Sequence, residues 1–244
     1  MDNRLKYIGE HLEEMLISPD EKFRFHCTQC GKCCINREDI LLNPKDLYNI
    51  AATLSISQEE AVERYCETYM GGTSRLPIVR LRPQGSIKRC PLLKDRKCMV
   101  HKAKPTVCAM YPLGRCLAIS QDTMSRIETA ELKPQFILNE VSCGDYAEEH
   151  TVREWLESFG IPVEDQYYIR WQRVAMLASK IIKGVEGSWT THGLNMLLTL
   201  IYNVLYLGYD MDKEFEPQFE ERAEELRTIL VKIESGMGGA ENAG

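Results

Sequence analysis

The sequence predicts an α+β, mainly helical fold: a loop-rich cysteine-cluster module with short strands, packed beside a helical C-terminal half. Three observations predict it. All ten cysteines lie from Cys27 to Cys143. Helix caps and apolar residues at helical spacing dominate the chain after Cys143. Only three short stretches alternate or cluster apolar residues as strands do. At 244 residues and 44% hydrophobic content, the chain can bury one good core or two small ones. The predicted organisation is 1–148 for a cysteine-cluster metal-binding module with an N-terminal helix, 149–235 for a helical region and 236–244 for a disordered tail.

In chain order, residues 3–17 are expected to be helical. Asn43 and Pro44 suit the N-cap and first turn of a helix through Leu54. Ser57 and Glu60 have capping-box spacing ahead of Ala61, Val62, Tyr65 and Tyr69, a pattern that places Cys66 in a helix as a buried structural thiol. Residues 76–83, 115–120 and 133–140 read as strands of a small antiparallel sheet. Thr151 and Glu154 open a short helix, Gly160 ends it and Pro162 separates the next. Over 164–183, Tyr167, Tyr168, Trp171, Val174, Leu177, Ala178 and Ile181 fall near helical spacing, with Gly184 as a stop. Trp155 and these aromatics are read as core. Helices over 190–208 and 216–234 complete the set, the last with Glu220, Glu221, Glu224 and Lys232 on a solvent face. The tail GMGGAENAG is of low complexity.

A net charge of −6 and a pI near 5.5 argue against a nucleic-acid binder, which needs a basic face for phosphates. The stretch LNMLLTLIYNVLYLGY is about 16 residues long where a bilayer needs about 20, and Asn195, Thr199 and Asn203 interrupt it; no transmembrane segment is expected. MDNRLKYIGEHLEEM carries charges rather than an apolar leader, so the expected location is cytoplasmic. In a reducing compartment, clustered cysteines read as metal or redox ligands rather than as a disulfide framework.

The densest cluster is CTQCGKCC at 27–34. A C-x2-C pair can turn both thiolates toward one ion, and Gly31 lets backbone approach the sulfur. Cys27, Cys30 and Cys33 extend this to C-x2-C-x2-C, the spacing by which bacterial ferredoxins put three thiolates on one cubane, with a fourth cysteine followed by proline, as in Cys90-Pro91. Neighbouring side chains of extended backbone point apart, so the vicinal Cys33 and Cys34 suit different metals or corners of a cluster. The C-x3-C-x2-C of radical enzymes that cleave S-adenosylmethionine is not met, because Arg37 stands where its third cysteine belongs. A second group, CPLLKDRKCMVHKAKPTVCAMYP, supplies Cys90, Cys98 and Cys108 with His101 between them.

Together, C-x2-C-G-x-C-C, C-P-L and C-x-V-H-x-x-x-P-x-x-C-x-x-Y-P resemble the YkgJ-type cysteine-cluster (CxxCxxCC) family over roughly residues 25–145. Its members are described as zinc- or iron-chelating, or iron-sulfur, proteins. The resemblance implies metal ligands at Cys27, Cys30, Cys33, Cys34, Cys90, Cys98 and Cys108, with Cys143 in VSCGD as an eighth. The family's usual arginine before the proline is Lys104 here, and its late C-P-G element is reduced to Cys143-Gly144. Eight thiolates exceed the four of one cubane or one structural zinc. The expectation is therefore an iron-sulfur cluster, most simply [4Fe-4S], with structural zinc, or metal storage and delivery, as alternatives. Flagellin lysine N-methylases resemble this family in their cysteine cluster, which implies S-adenosylmethionine-dependent protein lysine methylation and a protein substrate; a redox partner is the other expected contact. No G-x-G-x-x-G follows a strand, and Glu38, Asp39 and Asp145 read as solvated loop residues, so no catalytic residue is assigned.

Cys116 stays open as ligand or core thiol. His26 is read as an exposed spacer with a supporting hydrogen bond to a ligand as the alternative, His101 as a packing or supporting residue, and His192 as structural. Tyr111-Pro112 is expected to fix the chain leaving Cys108.

Overall fold

The computed structural model describes residues 3–36 and 38–241, with side chains from 7 to 236; the last three residues of the expected tail lie outside the described residues. In chain order its elements are α1 (Asn3–Met15), β1 (Leu16–Ile17), β2 (Lys22–His26), a 3-10 turn over Lys32–Cys34, β3 (Leu41–Leu42), α2 (Pro44–Leu54) and α3 (Gln58–Tyr65). Then come β4 (Cys66–Met70), β5 (Pro77–Leu81), β6 (Leu93–Lys94), β7 (Lys97–Cys98), a 3-10 turn over His101–Ala103, α4 (Thr106–Met110), β8 (Leu113–Leu117), α5 (Gln121–Ser125), β9 (Pro134–Leu138) and β10 (Asp145–Thr151). The chain continues through α6 (Val152–Glu157), α7 (Gln166–Val185), α8 (Thr191–Tyr206) and α9 (Phe215–Glu241). This is the expected mainly helical α+β fold, with small sheets ahead of a helical second half. Among the described residues, no helix is long and apolar enough to cross a membrane.

The caps act as their sequences predict. The Asn43 side chain accepts from the Asp46 amide at 2.9 Å, and Asp46 accepts from the Asn43 amide at 3.2 Å, with Pro44 in the first turn. Thr151 and Glu154 make the same reciprocal pair at 3.1 and 2.8 Å. Asp46 also ties α2 to α4, accepting from the Thr106 amide at 2.8 Å and the Thr106 hydroxyl at 2.7 Å.

Several boundaries differ from expectation because pairing overrides local pattern. The first helix ends at Met15, not 17, as Leu16 and Ile17 pair with Ile137 and Phe136. Cys66 and Tyr69 are not helical: α3 stops at Tyr65, and Cys66 to Met70 pair antiparallel with Leu81 to Pro77. The CETYM stretch, rich in Thr and Tyr, suits a pleated surface, and the partner strand decides. Strand β8 covers 113–117 rather than 115–120, because Ser120 caps α5. Gly184 lies inside α7, and α9 runs to Glu241 through most of the segment expected to be disordered.

The strands form antiparallel sheets β1-β9-β8 and β3-β5-β4 and the two-stranded ribbons β2-β10 and β6-β7. Two hydrophobic clusters underlie them. The larger joins Leu47 and Ile50 of α2 and Val79 of β5 to Leu177 of α7, Ile201 of α8, and Leu226 and Leu230 of α9, so the helical half shares its core with part of the cysteine module. The smaller collects Phe23 and Phe25 of β2, Phe136 of β9, Met110, and Val152, Trp155 and Leu156 of α6.

Candidate metal centre

The cysteines meet at the seam between these clusters. Cys90, Cys98 and Cys108 pack against the larger one. Cys27 packs against the smaller, together with Tyr111. Three chain segments bring them there. In CTQCGKCC, Gly31 takes a left-handed φ of 72° and starts the 3-10 turn carrying Cys33 and Cys34. The second segment docks on this turn: the Cys90 amide donates to the Cys34 carbonyl at 2.8 Å, and the Asn36 amide to the Ile87 carbonyl at 3.0 Å. Cys98 lies at the end of β7, and Cys108 sits in α4, closed by the Cys108 amide donating to the Pro105 carbonyl at 2.8 Å.

The third segment arrives through the β2-β10 ribbon, whose register sets Asp145 opposite His26 and thereby Cys143 beside Cys27. Gly144 makes this approach feasible. Its φ is 74°, and an added Cβ would lie 2.4 Å from the His26 carbonyl oxygen and 2.7 Å from the Phe25 ring.

Cys27, Cys33, Cys34, Cys90, Cys98, Cys108 and Cys143 all line one enclosed cavity of about 70 Å³. Its other walls include Phe25, Leu81, Leu92, Val100, Tyr111, Trp155 and Phe159, and among the described residues its one charged lining residue is Lys104. By a comparable measure a bound water needs about 10–15 Å³, so the space exceeds a single-ion slot. The thiols surround it rather than closing on one point: among the described residues, no three His, Cys, Asp or Glu side chains are grouped to hold one ion. None of the ten cysteines is in a disulfide.

Cys30, also expected as a ligand, is exposed and lies outside this lining. It stands at the rim, where backbone N–H groups of Lys32 and Gly144 hold its pKa below that of an ordinary thiol. Burial raises the Cys98 pKa, and burial together with charge on Cys33 and Cys30 pushes that of Cys143 up to about 11. In the metal-free protein, the apolar cavity therefore favours protonated thiols at these two positions, and a bound cation must displace protons.

The aromatic wall is rigid. Trp155 packs edge-on against Phe25 at 5.5 Å and Phe159 at 5.3 Å, and its indole N–H donates to the Met110 carbonyl at 3.1 Å. Tyr111 leaves α4 through a cis bond to Pro112, meets Phe25 edge-on at 5.6 Å and accepts from the Ser142 amide at 3.2 Å. The Lys104 ammonium lies 5.3 Å from the Phe159 ring centre.

Other cysteines and histidines stand apart. Cys66 is 1% exposed, with its thiol pKa pushed up to about 12 by burial, as expected of a structural thiol though on a strand. Cys116 lies on β8 outside the cavity, its pKa also raised by burial. His26 is half-buried, with Nδ1 3.1 Å from Asp145 Oδ1, so it braces the ribbon beside Cys27. His101 is exposed on a 3-10 turn, and His192 is exposed in the first turn of α8. Phe25, Lys104 and Phe159 were not singled out as walls from sequence, and Trp155 was read only as core. Their meeting depends on the ribbon register, which no local pattern encodes.

Residues 26–144, just under half of the chain, match the model of the CxxCxxCC family, described as "Putative zinc- or iron-chelating domain". An uncharacterized protein of Methanocaldococcus jannaschii is 32% identical over 90 residues, which cover 36% of this chain and 44% of that protein. The chain thus spans less than half the length of that relative. No solved structure matches it.

Proposed function

We propose that the protein is a cysteine-ligated iron-sulfur protein, most simply with a [4Fe-4S] cluster in the cavity between its two hydrophobic clusters. The observation that carries this reading is the convergence of seven thiols from three distant segments on one enclosed, largely apolar space. The donors suit a soft or borderline metal, and among the described residues neither imidazole nor carboxylate lines the cavity. Cys27, Cys33, Cys34, Cys90, Cys98, Cys108 and Cys143 would hold the metal, with Cys30 as a further donor at the rim. Thiols ringed about a space larger than one ion support a polynuclear centre over two separate four-thiolate zinc sites. A bound cluster would supply one-electron chemistry; the protein supplies the thiols, the apolar walls and the Lys104 cation among them.

Metal and acid-labile sulfide analysis, with a visible spectrum, on protein purified without oxygen tests the proposal. Iron with matching sulfide and a broad charge-transfer band is the expected result. Two zinc ions without sulfide would make this a thiolate-stapled module instead. Protein lysine methylation rests on the sequence resemblance alone, and its test is calorimetric titration of the reconstituted protein with S-adenosylmethionine, where absence of binding removes it.

A further inference from the structure

The chain is acidic overall, yet between residues 80 and 104 nine lysines and arginines stand against one acidic residue, Asp95. The fold gathers part of this charge beside the cysteine cavity. The β6-β7 hairpin lies against the CTQCGKCC turn, with a Cβ built on Gly31 falling 3.8 Å from both the Arg96 carbonyl oxygen and Leu93. Lys94, Arg96 and Lys97 are exposed on this hairpin, with Lys32 on the cysteine turn and Lys102 on the next 3-10 turn. No carboxylate partner is found for these five among the described residues, whereas Lys88 pairs with Glu38 at 2.8 Å and Arg80 with Glu67 at 2.6 Å.

The arrangement has a local cost. Lys94 and Lys97 are direct cross-strand partners, and like charges placed opposite each other destabilise a ribbon. Asp95 and Arg96 make the turn with φ of 48° and 60°, the left-handed pair that a tight two-residue hairpin turn requires, so only the like-charge pair works against the hairpin. Exposed apolar side chains, Ile35, Ile87 and Met99, are interleaved with the charge. Beyond Cys30 lies the β2-β10 ribbon, where Glu149 pairs with Lys22 at 2.9 Å and Asp145 with His26 at 3.1 Å, so its charge is largely balanced.

We infer that this basic, partly apolar face is the docking surface for an acidic protein partner, brought to the rim where Cys30 is exposed. The inference rests on the metal-centre reading for what the partner does there, but not for its binding. Charge complementarity selects the partner's sign. A protein is favoured over nucleic acid because residues 80–104 contain no Phe, Tyr or Trp on which bases could stack.

The test uses the full chain, a fluorescent glutamate decapeptide and a ten-nucleotide thymidine strand in low salt, read by anisotropy. The triple variant Lys94→Glu, Lys97→Glu, Lys102→Glu should weaken decapeptide binding about tenfold or more, and Gln at the same positions should give an intermediate loss. The control Lys133→Glu, Lys183→Glu, Lys232→Glu should stay within about twofold of the parent, and salt should erase the difference. Equal losses in both triple variants, or tighter binding of the DNA strand, would overturn the inference. Metal analysis on the same samples keeps the two readings apart: metal-free parent protein sinks the metal centre, while anisotropy still decides the surface.

Discussion

The two hydrophobic clusters solve the same problem differently. The larger closes on itself: Leu226 and Leu230 of α9 are fully buried against α7, α8 and the α2 region. The smaller has few buried side chains and meets the larger across a cavity lined by thiols. A small cluster of this kind is marginal without a staple, and a metal centre is one kind of staple. On the proposed reading, one region is held by burial alone, and the other by burial plus ligation.

Removing metal should break this comparison most visibly, because a structural metal site contributes on the order of 10 kcal/mol. After chelation, hydrogen exchange should accelerate in β2, β10 and α6 while α8 and α9 keep their protection; equal loss in both regions would contradict the division. The converse is Leu226→Ala, expected to cost about 2–5 kcal/mol in urea unfolding through transfer and cavity contributions. Metal content should not change.

A pH titration sharpens the contrast from inside the larger cluster. Burial pushes the Asp46 carboxyl pKa up to about 6, despite its three hydrogen-bond donors, from an ordinary 3.8. The folded chain then holds this proton more tightly than the unfolded chain. Its contribution is present below about pH 4 and is lost as pH rises through about 6, a swing of about 3 kcal/mol. Asp46→Asn should flatten that slope in urea midpoints measured from pH 4 to 7.

Gly144→Ala should cost about 2 kcal/mol, because the new Cβ meets backbone in a left-handed conformation. Metal retention should fall with it, as Cys143 is displaced. Cys66→Ala is the smallest effect, about 1 kcal/mol. Its metal content should match the parent's, whereas Cys108→Ala should lose metal.

Much of the helical half was legible, because Asn43, Ser57, Thr151 and the apolar spacing of 164–183 are local signals. Seven of the eight cysteines singled out by chelate spacing and resemblance line the cavity, and Cys30 does not. What escaped was non-local. Cys66 to Met70 read as helix until β5 claimed them, and the β2-β10 ribbon had no signature in DYAEEHT, whose strand face is almost wholly exposed. The cavity walls obeyed the same rule: Phe25, Trp155 and Phe159 became neighbours only through that ribbon and the helix after it.

The ribbon also sets an order of assembly during synthesis. It pairs residues near 24 with residues near 149, and the Val152 amide closes back on the Glu21 carbonyl. The CTQCGKCC turn therefore leaves the ribosome long before Cys143 and its own partner strand exist. Contacts this distant form late. On the proposed reading, the first four cysteines are for that interval an unfinished half-site, and whatever loads a metal must either wait for the last strand or guard the first turn until it comes.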